Sequence, residues 1–297
     1  MAVVRLLLEE GALVNVESGY HGTALQVACA KGHIEVVLLL LKHGADIHLR
    51  NNGAWHAAAQ AYNDDVMRLL LDLGIDVNDQ HGPHGTALHA ALRLDWTIEK
   101  LHILRHLDGP RKRALGGFKL WVSRINLLMS RGADPNLVAG EYSTTLQTAC
   151  ASKPGLNFKS KVAYPGPAGP EFLLDICPNI DINAQGGLFG SALQAAAYSG
   201  QTPTINLLLS KGAHVNARGG KYGSALNAAV IARNWDIVQI LLEAGAVPDC
   251  HMLLEPDEEW LQSVLEDDSD GQGAVERYRK FWEVEKLRQV DKEKEKA

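Results

Sequence analysis

A chain of 297 residues, 46% apolar and 22% charged, has an ordinary water-soluble composition, with length for one large domain or two. Its formal charge of −6 argues against a general nucleic-acid binder, and 14 acidic against 8 basic residues from Leu253 to Ala297 hold the whole of that excess. Four cysteines, at 29, 150, 177 and 250, show neither zinc-site spacing nor a disulfide framework, and the longest apolar run, VVLLLL at 36–41, is far too short to span a bilayer. The start, MAVVRLLLEE, is broken by Arg5, Glu9 and Glu10 and does not read as a signal peptide. An intracellular, cytoplasmic location is therefore expected, with the nucleus left open.

In chain order, the first predicted element is a helix within VVRLLLEEGALVN (3–15). It reads as the second helix of a two-helix unit whose first helix is missing, a partial repeat over 1–15. Such an edge exposes the apolar stripe that a preceding unit would cover. The expectation is a truncated piece of a longer protein, or an edge covered by another chain.

Next comes HGTALQ at 21–26, and the phrase returns as HGTALH at 84–89, FGSALQ at 189–194 and YGSALN at 222–227. Its second residue falls at Gly22, Asn52, Gly85, Ser143, Gly190 and Gly223, with spacings of 30, 33, 58, 47 and 33. A trailing phrase of the type GADIH or GADPN keeps step, with glycines at 11, 44, 74, 132, 212 and 245 and Asn179 standing in once. The base period is 33, and a fixed period of that size marks a repeat architecture.

Each unit has a physical reading. Thr23 and Gln26 have the spacing of a capping box, and Thr144/Gln147 and Ser191/Gln194 repeat it. The cap opens a first helix rich in alanine, whose small side chains let neighbouring helices approach closely. Gly32 stops it. A second helix follows, with Ile34, Val37, Leu38 and Leu41 at helical spacing, and Gly44 ends it where a positive φ suits glycine. Segments such as NARGGKYG (216–223) turn the chain back, with Gly-Gly at the bend. One such unit cannot bury its own stripe; stacked neighbours can.

The 33-residue period, the Thr/Ser-capped first helix, Gly32-His33 opening the second and a Gly-Ala-Asp-x-Asn close together resemble the ankyrin repeat. The Tyr-Gly-Ser/Thr-Ala-Leu wording is similar to the ankyrin arrays of filamentous fungi. The resemblance implies an all-α solenoid over 1–250, with about six recognisable repeats, the partial N-terminal one and hairpin fingers. It also implies a non-catalytic role in binding a partner protein on a concave face. Carried over position by position, it puts contacts on the fingers at Glu17, Arg50, Gln80, His81, Glu141, Arg218 and Lys221. The aromatics before the cap, Tyr20, Tyr142, Phe189 and Tyr222, recur in register and are read as scaffold packing first and recognition second.

Two insertions interrupt the array. The first, about 96–120, holds an expected extra helix at 97–107 and then GPRKRALGG (109–117), read as a solvated loop in preference to an anion-binding or nuclear-import patch. A degenerate extra repeat over 96–130 is the other alignment. The second insertion, about 152–168, is rich in Pro and Gly and reads as a loop. After Cys250 the pattern stops: 251–270 is expected to be an acidic capping helix, and 271–297 a charged helical or disordered tail.

No phosphate-binding, nucleophile-elbow or zinc-protease motif occurs in the sequence. The best metal-like grouping, His81, His84 and His89, is read as finger-surface histidines, and Cys29 and Cys150, at one repeat position, as small core residues. The expectation is therefore no enzyme, no metal and no cofactor, a protein partner, no nucleic acid, no membrane, and a monomer in isolation. The alternatives kept open are an enzyme-associated or inhibitory role carried by the 96–120 insertion or the tail, and a fragment without an independent role.

Overall fold

The computed structural model describes residues 1–17, 22–60, 63–92, 110–151, 169–247 and Lys280. The expected extra helix at 97–107, the insertion at 152–168, the capping helix at 251–270, most of the tail and Tyr20 lie outside the described residues. The described chain falls into two compact units, Met1–Glu141 and a second from Tyr142 onward.

The first unit holds α1 (Ala2–Glu9), α2 (Ala24–Lys31), α3 (Ile34–Lys42), α4 (Leu49–Gln60), α5 (Asp64–Asp72), α6 (Ala87–Leu92) and α7 (Pro110–Ser130). The second holds α8 (Thr145–Ala151), α9 (Gly169–Ile176), α10 (Ala192–Ser199), α11 (Thr202–Ser210), α12 (Ala225–Ile231) and α13 (Trp235–Glu243). First helices stack on first helices, α2 on α4 on α6 in one unit and α8 on α10 on α12 in the other. Second helices follow the same order, α3 beside α5, and α9 beside α11 beside α13. Among the described residues there are helices and isolated antiparallel bridges (Gly82 with Gly85, Gly186 with Gly190, Gly219 with Gly223) that close the hairpin fingers.

The repeat register is visible in the backbone. The second residue of the phrase is left-handed in all six copies: Gly22 (φ 75°), Asn52 (57°), Gly85 (89°), Ser143 (77°), Gly190 (87°) and Gly223 (75°). The geometry is thus a property of the position, and Asn52 and Ser143 accept a conformation that favours glycine. The trailing glycines at 11, 44, 74, 132, 212 and 245 are likewise left-handed, whereas Asn179, the expected stand-in, is not among the left-handed residues.

Within each unit, hydrogen bonds tie one repeat to the next at two places. The Asn that closes one copy spans to the following copy's turn. Asn183 donates to the Gly212 carbonyl (3.1 Å) and accepts from the His214 amide (2.8 Å). Asn216 makes the same pair with Gly245 and Val247 (2.9 and 2.8 Å), as do Asn15 with Gly44 and Asp46, and Asn78 with Gly132 and Asp134. The second place is the end of the first helix. Asn63 donates to the Cys29 and Ala30 carbonyls, Gln201 to Cys150, and Asn234 to Ala197 and Tyr198, satisfying acceptors that a helix C-terminus leaves open.

The second helix α3 buries a narrower stripe than the sequence predicts. In α3 the buried residues are Val37 and Leu40, while Ile34 and Leu38 are 37% and 49% exposed. The same two register positions carry Met67 and Leu70, Ile125 and Leu128, Ile205 and Leu208, and Val238 and Leu241, all buried. The i, i+3 pair faces the first-helix layer; in α3 i+1 and i−3 turn outward, whereas the residue before the pair is also buried in the later copies, at Val66, Arg124, Thr204 and Ile237. Each of these side chains contributes roughly 1.5–3 kcal/mol by burial. The long helix α7 also departs from expectation. Residues 110–117, read as a loop, form its N-terminal part, with Pro110 at its start, where a missing amide costs nothing. Trp121 anchors α7 by donating to the Ala91 carbonyl (2.9 Å), and buried Arg124 places two nitrogens on Asp64 Oδ1 of α5. At the N-terminus α1 buries none of its residues, and Val3, Leu6 and Leu7 are 69%, 58% and 55% exposed.

Candidate functional site

The fingers precede the first helices, so each cap residue sets how a finger meets its helix. Thr23, Ser191 and Ser224 accept the amide hydrogen of the residue three further on. The full capping box occurs at Thr23, whose amide donates to Gln26 Oε1 (3.0 Å). At the other two expected boxes the glutamine points away from its own cap. Gln147 Nε2 donates to Ala184 and Gly190, and Gln194 Nε2 to Ala217 and Gly223, so each spans to the next finger. That trades a local bond for an inter-repeat one, and the buried carbonyl oxygens of Gln147 and Gln194 have no protein partner.

All seven predicted finger residues are exposed. In the first unit Glu17 and Arg50 form a loose ion pair (3.7 Å), both about half exposed, a type of contact worth little. Arg50 and His81 line one open groove of about 520 Å3 between adjacent fingers and first helices. Its apolar lining is Val27, Ala30, Ala57 and Pro83, and Lys31 adds a second cation. Glu141 belongs to the same unit but does not line that groove. Arg218 and Lys221 belong to the second unit, where Lys221 Nζ lies 5.6 Å over the Tyr222 ring. Gln80 is exposed on the finger beside His81.

Beneath the groove lies a cluster that sequence reasoning missed. Asp79 is 8% exposed and His56 6%. His56 Nε2 meets Asp79 Oδ1 at 2.6 Å; His81 Nδ1 and Asn52 Nδ2 meet Asp79 Oδ2 at 3.0 and 2.7 Å; and the His81 amide donates to Oδ1. Burial alone would raise the Asp79 carboxyl, but the hydrogen bonds of His81, His56 and Asn52 outweigh it and hold it at about 2. Burial lowers His56 below the usual imidazole value, against the pull of the Asp79 hydrogen bond and charge. Asn52 also meets His48 Nδ1 (2.8 Å), and this holds the finger where Arg50, Asn51 and Asn52, a non-helical turn within the bounds of α4, are left-handed in succession (φ 54°, 52° and 57°). No run of charged residues pointed to this cluster. His56 sits in an alanine-rich stretch, WHAAAQ, that otherwise reads as plain packing.

The histidine trio His81, His84 and His89 does not converge on one point. His89 is fully buried in α6 with its Nδ1 on the Thr86 hydroxyl (2.8 Å), and His81 is engaged with Asp79. Cys29 and Cys150 are buried at one register position; burial pushes the Cys29 thiol up to about 12 and Cys150 higher still. In the second unit the register aromatics stack on one another. Phe189 is 5.6 Å from Tyr142 and 5.9 Å from Tyr222, and Tyr198 closes the column 4.7 Å from Tyr222. Burial, then the hydrogen bond with Tyr198, push Tyr222 up to about 12. Stacked side by side, these rings pack the scaffold, as expected.

The fold of stacked helix pairs with hairpin fingers defines an ankyrin-repeat solenoid. A family model described as ankyrin repeats (3 copies) matches residues 1–51 and 169–251. The chain is 33% identical over 136 residues to ankyrin repeat and SAM domain-containing protein 6 of Rattus norvegicus, which covers 42% of this chain and 14% of that protein. It is 37% identical over 73 residues to protein phosphatase 1 regulatory subunit 12A of Mus musculus, covering 24% of this chain and 7% of that protein. The chain thus spans a small part of these relatives, and they are animal proteins. The human ASB11 ankyrin repeat domain superposes with a TM-score of 0.56 at 18% identity, covering 86% of this chain and 97% of that one, a likeness of fold. No helix among the described residues is long and apolar enough to cross a membrane.

Proposed function

We propose that this chain is a non-catalytic protein-interaction module that binds a partner protein on its fingers and first helices, within a larger signalling or adaptor protein. The observation that carries the reading is the open groove of the first unit, where Arg50 and His81 stand exposed on fingers held by buried hydrogen bonds. Solenoids present extended faces of this kind to partners. One relative's name, a phosphatase regulatory subunit, fits a role exercised through another protein. The proposal includes an intracellular, cytoplasmic setting, no nucleic-acid ligand and a monomeric state in isolation. It also keeps the likeness to fungal arrays, which rests on the wording of the repeats.

The test is a lysate pull-down with the wild type and with a variant in which Gln80, His81, Arg218 and Lys221 are all alanine, both checked by circular dichroism. The reading expects a protein retained by the wild type and lost by the folded variant. Equal retention by both would reject the finger face.

A further inference from the structure

The groove of the first unit has a chemical bias that the general reading does not contain. Its charged lining residues, Lys31 and Arg50, are both cations, and the exposed His81 imidazole stands beside them. Neither nearby carboxylate presents a free oxygen to the groove itself. Asp79 lies under the groove, 8% exposed, with its oxygens taken by His56, His81 and Asn52. Glu17 is engaged with Arg50 at 3.7 Å, in an exposed pair that Arg50 can exchange for a better-placed carboxylate at little cost. An apolar strip lies beside them, Val27, 37% exposed, with Ala30, Ala57 and Pro83, and Gln26, His56, Gly22 and Gly53 complete the lining.

The finger that carries Arg50 is also held against its own backbone preference over three residues in a row. Three successive non-glycine residues are left-handed there, a conformation that crowds a Cβ against the following carbonyl and is easiest for asparagine among them. The fingers of the second unit turn on Gly186-Gly187 and Gly219-Gly220 and need no such strain. Strain that the surroundings hold in place gathers where a chain presents groups to a ligand. Here Asn52, tied to Asp79 and His48, holds the turn that presents Arg50.

We propose that this groove binds a short acidic segment of a partner protein, in which an aliphatic side chain seats against Val27, Ala30 and Ala57 and flanking carboxylates meet Lys31, Arg50 and His81. The inference rests on the protein-interaction reading and names the chemistry of the partner. A volume of about 520 Å3 suits a few side chains of an extended segment and not a folded domain.

The test is selection of displayed random short peptides on the full immobilised chain. The variants are Lys31→Ala/Arg50→Ala, expected to disrupt the site, and Arg218→Ala/Lys221→Ala as a control in the second unit. The expected result is enrichment of peptides with Asp or Glu on both sides of an aliphatic residue. Their affinity should fall at least about tenfold in the first variant, stay level in the control and weaken as salt rises. Enriched peptides without acidic residues, peptides indifferent to Lys31 and Arg50, or no enrichment by the folded chain would each overturn the inference. Failure of the wider reading shows differently: there the wild type retains no partner protein in the pull-down. A wild type that retains a partner but selects neutral or basic peptides sinks the acidic segment alone.

Discussion

Replacing Asp79 by Asn tests how the buried cluster holds the fingers. The change keeps the shape and removes the charge. The substituted side chain could accept on one oxygen only, and its amide nitrogen would face the donating Nδ2 of Asn52, now 2.7 Å from Asp79 Oδ2. From the carboxyl's displacement from 3.8 to about 2, the charged form is favoured in the fold by about 2–3 kcal/mol. We expect Asp79→Asn to cost that much at pH 7, read by urea unfolding. The unfolded chain binds a proton at Asp79 before the folded chain does. Its stabilisation is therefore present above the unfolded value near 4 and is lost as pH falls through the folded value near 2. His56 adds a loss as pH falls below about 6.5, because burial makes the folded chain resist its protonation. Asp79 also eases protonation of His56, so the gap between wild type and Asp79→Asn should hold or widen as pH falls from neutrality toward about 5 and then narrow steadily below about pH 4. A cost under about 0.5 kcal/mol at pH 7, or a gap that does not depend on pH, would refute the assigned network.

Other outcomes follow from the same structure. Leu208→Ala and Leu241→Ala, both at fully buried stripe positions, should each lose about 2–5 kcal/mol in urea melts, and Lys221→Ala almost nothing. Asn216→Ala removes both bonds to the next turn and should cost about 1–3 kcal/mol, with raised amide exchange at Val247 as the local readout. Gly220→Ala should cost at least about 2 kcal/mol, because φ is 64° and the new Cβ would lie 2.2 Å from the Phe189 carbonyl carbon. Cys29, with its thiol pushed up to about 12 by burial, should resist thiol reagents in the native state and react only on unfolding.

The repeat was legible because its signals are local. A cap hydroxyl, a left-handed residue and a glycine stop act within a few residues, so the phrase around Gly22 and Gly223 carries its own backbone geometry. The same locality located the exposed finger residues. What the sequence left hidden depends on the neighbouring copy. Whether Gln194 reaches back to Ser191 or forward to Ala217 is decided by the next finger's carbonyls, which one unit's spacing cannot encode. The buried stripe of α3 was misjudged for a related reason. Four apolar positions in IEVVLLLLK satisfy helical spacing in more than one way, and the adjoining first-helix layer selects Val37 and Leu40. His56 and Asp79 are 23 residues apart and meet only because one helix and the following finger stack. The helical character of 110–117 was masked by glycines that read as punctuation.

The most direct test of the central claim, binding through fingers and first helices, is site-specific photo-crosslinking in a lysate. One photoreactive side chain would replace Gln80, exposed on a finger, and in a separate variant Leu38, 49% exposed on a second helix. The account predicts a discrete partner adduct from position 80, competed away by unlabelled wild type, and none from position 38. An adduct from position 38 alone, or the same adduct from both, would contradict it.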